Sequence, residues 1–162
     1  MSRNNPFAAI VLVAAFIGLS VVAPPASVYA AANDEVFSAG EPGDVQTSTR
    51  VASVMIRDAD GTLSFDPAVV KVRLGEQIRF VVTNAGLLDH EFFLGSPEEI
   101  SEHKDMMKKM SGMEHKDANV IRLKPGETKE IVWHFTKPGN FEYACLLPGH
   151  LEAGMFGKII VE

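Results

Sequence analysis

Short segments of strand-forming residues, each followed by a turn, run through most of this sequence. Val51–Arg57, Gln77–Asn84 and Thr128–Phe135 are rich in β-branched and aromatic residues, and turns such as Gly75-Glu76 and Pro138-Gly139 separate segments of this kind. Seven or eight short strands at this spacing imply a sandwich or a barrel. The sequence therefore predicts an all-β fold, a Greek-key sandwich or barrel of antiparallel strands.

One segment departs from this pattern, because its apolar residues recur at helical spacing. Ser96 lies three residues before Glu99, which is the capping-box pattern, and Pro97 occupies the first helical position. Apolar residues then follow three or four positions apart as far as Met110. We expect one helix here, inserted between strands and packed against the barrel.

The N-terminus has the three parts of a secretory signal peptide. Arg3 supplies a positive charge, Phe7–Val22 is an apolar run of about 16 residues, and small residues follow as far as Ala30. We expect cleavage near Ala30 and export to the periplasm. The alternative is a retained membrane anchor, although the run is shorter than the roughly 20 residues that a spanning helix needs.

The rest of the chain divides into a lead-in and one domain. Residues 31–49 are small and polar, so we expect a flexible lead-in without a core of its own. Residues 50–162 then form the folded domain, since a chain of 162 residues has room for one domain and little else.

The balance of charge limits the partners of this chain. Asp and Glu outnumber Lys and Arg by 21 to 15, which gives a net charge of −6. An acidic chain is repelled by nucleic acid, so we expect no nucleic-acid partner. We expect a monomer, soluble after cleavage, whose acidic surface suits a basic docking partner.

The single cysteine, Cys145, is the first indication of function. An exported chain reaches an oxidising compartment, where cysteines are expected to form disulfides. A lone cysteine has no partner within its own chain, so it must pair with a second chain, stay a free thiol or bind a metal.

The sequence around Cys145 favours a bound metal. Cys145, His150 and Met155 are each separated by four residues, on a loop between the last two predicted strands. Thiolate, imidazole and thioether groups are ligands that copper accepts in both oxidation states, and His90, which opens a strand after a loop, is the candidate for a second imidazole. The alternatives are a structural thiol at Cys145, a core residue at Met155 and a polar strand residue at His90.

This ligand pattern resembles the cupredoxins, the family of azurin, rusticyanin and plastocyanin, over about Val51–Glu162. The spacing on the ligand loop is most similar to that of rusticyanin-like and auracyanin-like members. The resemblance implies a cupredoxin-like fold, a type 1 site that holds one copper ion, and a redox partner protein, with electrons passing through His150. One departure is Glu91, which stands where the family often has an Asn that ties the two ligand loops together.

A methionine-rich segment offers a second set of copper ligands. Thioethers suit Cu(I), so a second Cu(I) site is one hypothesis, and it resembles the arrangement in periplasmic cupredoxin-like proteins linked to copper tolerance. The alternative is that these methionines fill a gap in the core. The candidate ligands are His103, Met106, Met107, Met110, Met113 and His115.

Two functions of different kinds remain open from the sequence. The first is a one-electron carrier, and the second is a copper-tolerance protein that binds excess copper and meets other copper-handling proteins. We expect no enzymatic activity, because oxidases and nitrite reductases need further copper centres, and this chain has only five His. A binuclear centre of the oxidase type would also need a second Cys on the loop.

Overall fold

The computed structural model describes residues 36–47, 49–59, 61–109 and 117–162. The predicted signal peptide lies outside these ranges, as do Met110, Met113 and His115. No helix within the ranges is long and apolar enough to cross a membrane. The strands are β1 (Glu41–Pro42), β2 (Arg50–Ala59), β3 (Thr62–Asp66), β4 (Val69–Val72), β5 (Gln77–Asn84), β6 (His90–Gly95), β7 (Val120–Leu123), β8 (Thr128–His134), β9 (Gly139–Ala144) and β10 (Phe156–Val161), and the helix is α1 (Pro97–Lys109).

These strands form two five-stranded sheets. The first has the order β1-β8-β5-β2-β3 and the second has the order β4-β10-β9-β6-β7. Buried and less buried residues alternate along β2 and β5, as they do in strands with one face toward a core. The all-β fold class with one inserted helix is confirmed.

The sheets are not purely antiparallel, so the prediction of antiparallel pairing throughout is wrong. β2 pairs with β5 in parallel, and β10 pairs with β4 in parallel, while the remaining pairs are antiparallel. The chain leaves the first sheet after β3, contributes β4 to the second sheet and then returns to place β5 beside β2. Strand periodicity shows which face of a strand is buried, but it carries no information about the strand that lies alongside.

Strand β6 is buried on both faces, which places the first predicted ligand in the interior. Its six residues are all buried, because Phe92 faces the core between the sheets and Phe93 packs beneath Ile100 of α1. The ring of Phe92 also stacks on Tyr143 of β9, with 5.1 Å between ring centroids. The helix therefore covers the outer face of the strands that carry the candidate site.

The capping box predicted for α1 is present in the structure. The amide of Glu99 donates to Ser96 Oγ at 3.2 Å, and the amide of Ser96 donates to Glu99 Oε2 at 2.7 Å. Ser38 extends this cap, since its amide donates to Glu99 Oε1 at 2.8 Å and its hydroxyl also contacts the same carboxylate. The helix begins at Pro97, as the sequence predicts.

The chain that precedes the predicted domain also packs onto the sheets, so a flexible lead-in does not describe residues 37–43. Phe37 is buried and meets the ring of Trp133 edge to face at 5.0 Å, and Ala39 is fully buried. β1 then pairs with β8. Gly40 allows the chain before β1 to lie close to the backbone of β8. It has a φ of +133°, and a side chain there would overlap the carbonyl of His134.

Candidate metal centre

Three adjacent strands bring the four predicted ligands to one end of the second sheet. β6 lies antiparallel to β9, and β9 lies antiparallel to β10. His90 is the first residue of β6, Cys145 follows the last residue of β9, and His150 and Met155 lie on the loop that leads to β10. In antiparallel neighbours one strand begins where the next one ends, so these residues meet at one edge.

The donor atoms of three of these residues converge. The Sγ atom of Cys145 lies 3.2 Å from Nδ1 of His150 and 3.9 Å from Nδ1 of His90. The three ligand atoms all lie within 4.8 Å of one another, so one ion can contact all of them. Among the described residues, this is the one cluster of His, Cys, Asp or Glu side chains with that spacing.

Backbone hydrogen bonds close the ligand loop on itself. The amide of Cys145 donates to the carbonyl of Met155, and the amide of Met155 donates to the carbonyl of His150, both at 3.1 Å. Gly149 and Gly154 have φ values of +85° and +89°, which allow the chain to turn within the loop. The Met155 side chain is fully buried in the same core cluster as Cys145.

Burial sets the protonation of the thiol. Cys145 is fully buried, and desolvation raises its pKa to about 11, although the amide of Glu91, which donates to Sγ at 3.3 Å, favours the thiolate. Burial and the neighbouring His90 ring lower the pKa of His150. Without a metal, the centre at neutral pH therefore holds a protonated thiol beside a neutral His150.

Solvent reaches the four residues unequally. His90, Cys145 and Met155 are each 0% exposed, whereas His150 is only partly buried. The two residues before His150, Pro148 and Gly149, are exposed. The ring of His150 is therefore the part of the centre that reaches the surface.

A buried carboxylate that the sequence did not indicate supports His90. The side chain of Asp58, near the end of β2, is 4% exposed, and its Oδ2 atom lies 3.0 Å from Nε2 of His90. Burial opposes ionisation of this carboxyl, but hydrogen bonds from the amides of Leu88 and Leu87 outweigh it, so the pKa of Asp58 lies below its ordinary value. In the sequence Asp58 is one polar residue near a turn, 32 positions before His90, and no local pattern marks it.

Asn84 holds the loop before His90, and a backbone hydrogen bond joins β6 to Cys145. Asn84 is fully buried, and its amide nitrogen donates to the carbonyls of Leu88 at 2.8 Å and Leu123 at 3.2 Å. Its oxygen accepts from the amide of Gly86 at 3.0 Å. Glu91 contributes through its backbone, by the hydrogen bond to Cys145 Sγ. The loop before His90 is therefore held without an Asn at position 91.

The described members of the second candidate site face different surroundings. His103 is buried, with its ring 4.6 Å from that of Phe93, and it lines one surface cavity together with Met106. Met107 lines another cavity, beside Leu147 and other residues of the ligand loop. Among the described candidates, His103 and Met106 line one cavity and Met107 lines another, and a second Cu(I) site stays a prediction.

The chemistry of the main centre fits copper. Two imidazole nitrogens face a buried thiol, and a buried thioether lies on the same loop, which is the combination of borderline and soft donors that copper accepts as Cu(II) and Cu(I). A metal ion bound there would replace the proton of the Cys145 thiol, because metals bind the thiolate.

Known proteins with similar sequences are copper proteins. The family described as copper binding proteins, plastocyanin/azurin family, matches residues 52–162. The chain is 45% identical over 130 residues to the copper-resistant cuproprotein CopI of Rubrivivax gelatinosus, and the matched region covers 80% of this chain and 77% of the relative. It is 38% identical over 120 residues to the copper-resistant cuproprotein CopI of Vibrio cholerae, and this region covers 74% of this chain and 70% of the relative. This chain belongs to the plastocyanin/azurin family of copper-binding proteins.

Solved structures give the same fold. The reduced auracyanin of Roseiflexus castenholzii superposes with a TM-score of 0.58 at 22% identity, over 72% of this chain and 98% of that protein. At this identity the likeness concerns the fold alone. The family match and this fold confirm the cupredoxin resemblance seen in the sequence, and the family match with the cluster of His90, Cys145 and His150 confirms copper as the cofactor.

Proposed function

We propose that this chain is an exported copper protein that holds one copper ion in a type 1 centre and passes on one electron at a time. The observation that carries the proposal is the convergence of two imidazole Nδ1 atoms on the buried Sγ of Cys145. Bound copper would supply the one-electron change between Cu(II) and Cu(I).

The fold restrains the ligand atoms of the copper site. The ligand loop is closed by its own backbone hydrogen bonds, and β6 is packed on both faces, so the protein itself restrains His90 and Cys145. Fixed donors mean that little has to rearrange when an electron arrives or leaves. Burial of Cys145 and Met155 also keeps water from the centre.

Electrons would enter and leave through His150, since it is the one of the four ligands that reaches the surface. Pro148 and Gly149 beside it offer a small exposed contact surface. The partner we propose is a redox protein that docks on this surface. We further propose that the chain acts in the periplasm as a monomer and carries out no catalysis of its own.

A redox titration tests this proposal. The copper-loaded protein should take up one electron per copper, lose its visible colour and regain it on reoxidation, without release of the ion. Copper that leaves the protein on each reduction, or a centre that accepts no electron, would contradict a carrier. A Cys145→Ser variant serves as the control, because it removes the thiolate and keeps the rest of the loop.

A second candidate function is copper resistance by binding. It is favoured by the two relatives at 45% and 38% identity, which both carry the description copper-resistant cuproprotein. Such a protein would bind more than one Cu(I) and protect growth by holding copper, and it would meet copper-handling proteins in place of a redox partner.

Growth and stoichiometry separate the two functions. In a host strain lacking the gene, a resistance protein should restore growth at high copper, and the number of Cu(I) ions bound should exceed one. A carrier that does not act in resistance should bind one ion and leave copper sensitivity unchanged. Replacing Met106 and Met107 by Leu tests whether an extra ion depends on the described part of the methionine-rich segment.

A further inference from the structure

Asp58 is a buried carboxylate whose side chain forms hydrogen bonds to the first candidate ligand and to the loop before it. Its Oδ2 atom meets Nε2 of His90 at 3.0 Å and accepts from the amide of Leu88 at 2.7 Å. The amide of Leu87 donates to both carboxylate oxygens, at 2.7 Å and 2.8 Å. β2 thus supports a ligand on a strand of the other sheet.

The contact with Asp58 decides which nitrogen of His90 carries the proton. An ionised carboxylate can only accept hydrogen bonds, so Nε2 of His90 must be the donor. In the neutral ring, Nδ1 then keeps its lone pair, and it is Nδ1 that faces Sγ of Cys145. The carboxylate therefore holds the ring in the tautomer that a metal on the Cys145 side needs.

The chain makes room for this carboxylate at Gly86. A Cβ atom at position 86 would overlap the carboxylate carbon and both oxygens of Asp58. A residue with a side chain at this position would push Asp58 away from the loop and from His90. The approach of Asp58 to His90 thus depends on two positions, one on β2 and one in the loop after β5.

We propose that Asp58 is a positioning residue of the copper centre, which fixes the tautomer and orientation of His90 and makes the centre favour Cu(II) over Cu(I) by its negative charge. This inference rests on the proposed copper site. The charge favours the oxidised form because Cu(II) carries one more positive charge than Cu(I), so a nearby anion stabilises it more. Partners of this kind are typically worth 10–100-fold in metal affinity.

The first test compares Asp58→Asn with Asp66→Asn. Both variants lose one negative charge at nearly constant shape, but Asp66 is an exposed residue of β3 whose partner is Arg57, at 3.6 Å. We expect Asp58→Asn to lose about 10–100-fold in Cu(II) affinity, measured against competing chelators, and to lose less in Cu(I) affinity. A tenfold difference between the two losses corresponds to a rise of about 59 mV in reduction potential. Asp66→Asn should match the wild type.

The second test needs no copper. Nitrogen-15 chemical shifts of the His90 ring in the metal-free protein should report the Nε2–H tautomer in the wild type. They should report a mixture in Asp58→Ala and in Gly86→Ala, which keeps the charge but displaces the carboxylate. Circular dichroism checks that each variant folds, and Asp58→Asn, which is isosteric, remains informative if Asp58→Ala does not fold.

The outcomes distinguish this inference from the proposed function. A wild type that binds no copper through Cys145 would contradict the proposed function. A wild type with a coloured copper centre, combined with equal Cu(II)/Cu(I) preference in Asp58→Asn and Asp66→Asn, would overturn the role of Asp58 alone. An unchanged His90 tautomer in Gly86→Ala and Asp58→Ala would overturn the positioning part.

Discussion

Copper uptake by this centre should depend steeply on pH, because the thiol of Cys145 must lose its proton. Burial raises the pKa of Cys145 to about 11, and copper binds the thiolate. At pH 7 the pH lies four units below that pKa, so about one molecule in 10⁴ carries the thiolate before copper arrives. At about 1.36 kcal/mol per unit of pH, the need to remove this proton makes copper binding at pH 7 about 5 kcal/mol less favourable than binding to a thiolate that is already formed.

The sign of this dependence follows from the raised pKa. Below pH 11 copper displaces a proton, so apparent affinity rises about tenfold for each unit of pH. Between pH 7 and pH 9 the gain should be about 100-fold, or about 2.7 kcal/mol. The lowered pKa of His150 keeps that ring neutral across this range, so it adds nothing to the slope.

Competition with a chelator of known pH dependence measures this slope, and Cys145→Ser is the control. The variant should bind copper far more weakly and with little dependence on pH above 7. A wild-type affinity that stays flat between pH 7 and pH 9 would refute the reasoning, because Cys145 would then be either ionised before copper binds or absent from the copper ligands.

Three further substitutions test other parts of the structure. Met155→Leu should keep copper and colour but raise the reduction potential, since it removes a weak donor that favours Cu(II), and loss of copper would contradict a weak axial contact. Gly157→Ala should lower the free energy of unfolding by about 1–3 kcal/mol in denaturant titrations, because the new methyl overlaps the Tyr143 ring, and an unchanged midpoint would contradict that packing. Phe37→Ala should lower the free energy of unfolding by about 3 kcal/mol and make the surrounding segment easier to cleave with proteases. Val36→Ala, at a position 83% exposed, should leave both properties almost unchanged.

The candidate copper ligands could be chosen from the sequence because their chemistry is unusual and mostly local. Cys145, His150 and Met155 lie within eleven consecutive residues, and a thiolate, an imidazole and a thioether together point to few metals. His90 is more distant, but it stands at the start of a strand-like segment after a loop. The capping box could be predicted for the same reason, because Ser96 and Glu99 lie only three residues apart.

Asp58 could not be predicted, because its role depends on tertiary structure. It reaches His90 only because β2 lies beside β5 in parallel, which places the end of β2 next to the loop that precedes β6. Nothing in the residues around Asp58 distinguishes it from a solvated residue before a turn. The parallel pairs themselves were missed for the same reason.

The packing of residues 37–43 illustrates a different limit of the sequence. One aromatic residue, Phe37, anchors the segment against Trp133, and β1 has only two residues. Contacts made by so few residues produce no periodicity, so the composition predicted a flexible segment where the structure has one that packs on the sheet.

One copper ion should bind the thiolate of Cys145 beside the two imidazoles of His90 and His150. The most direct test is the visible absorption and electron paramagnetic resonance of the Cu(II)-loaded protein, recorded beside Cys145→Ser. We predict an intense sulfur-to-copper charge-transfer band and a narrow copper hyperfine splitting, with both lost in the variant. A Cu(II) protein that is colourless, shows the ordinary wide splitting and matches its Cys145→Ser variant would contradict the claim.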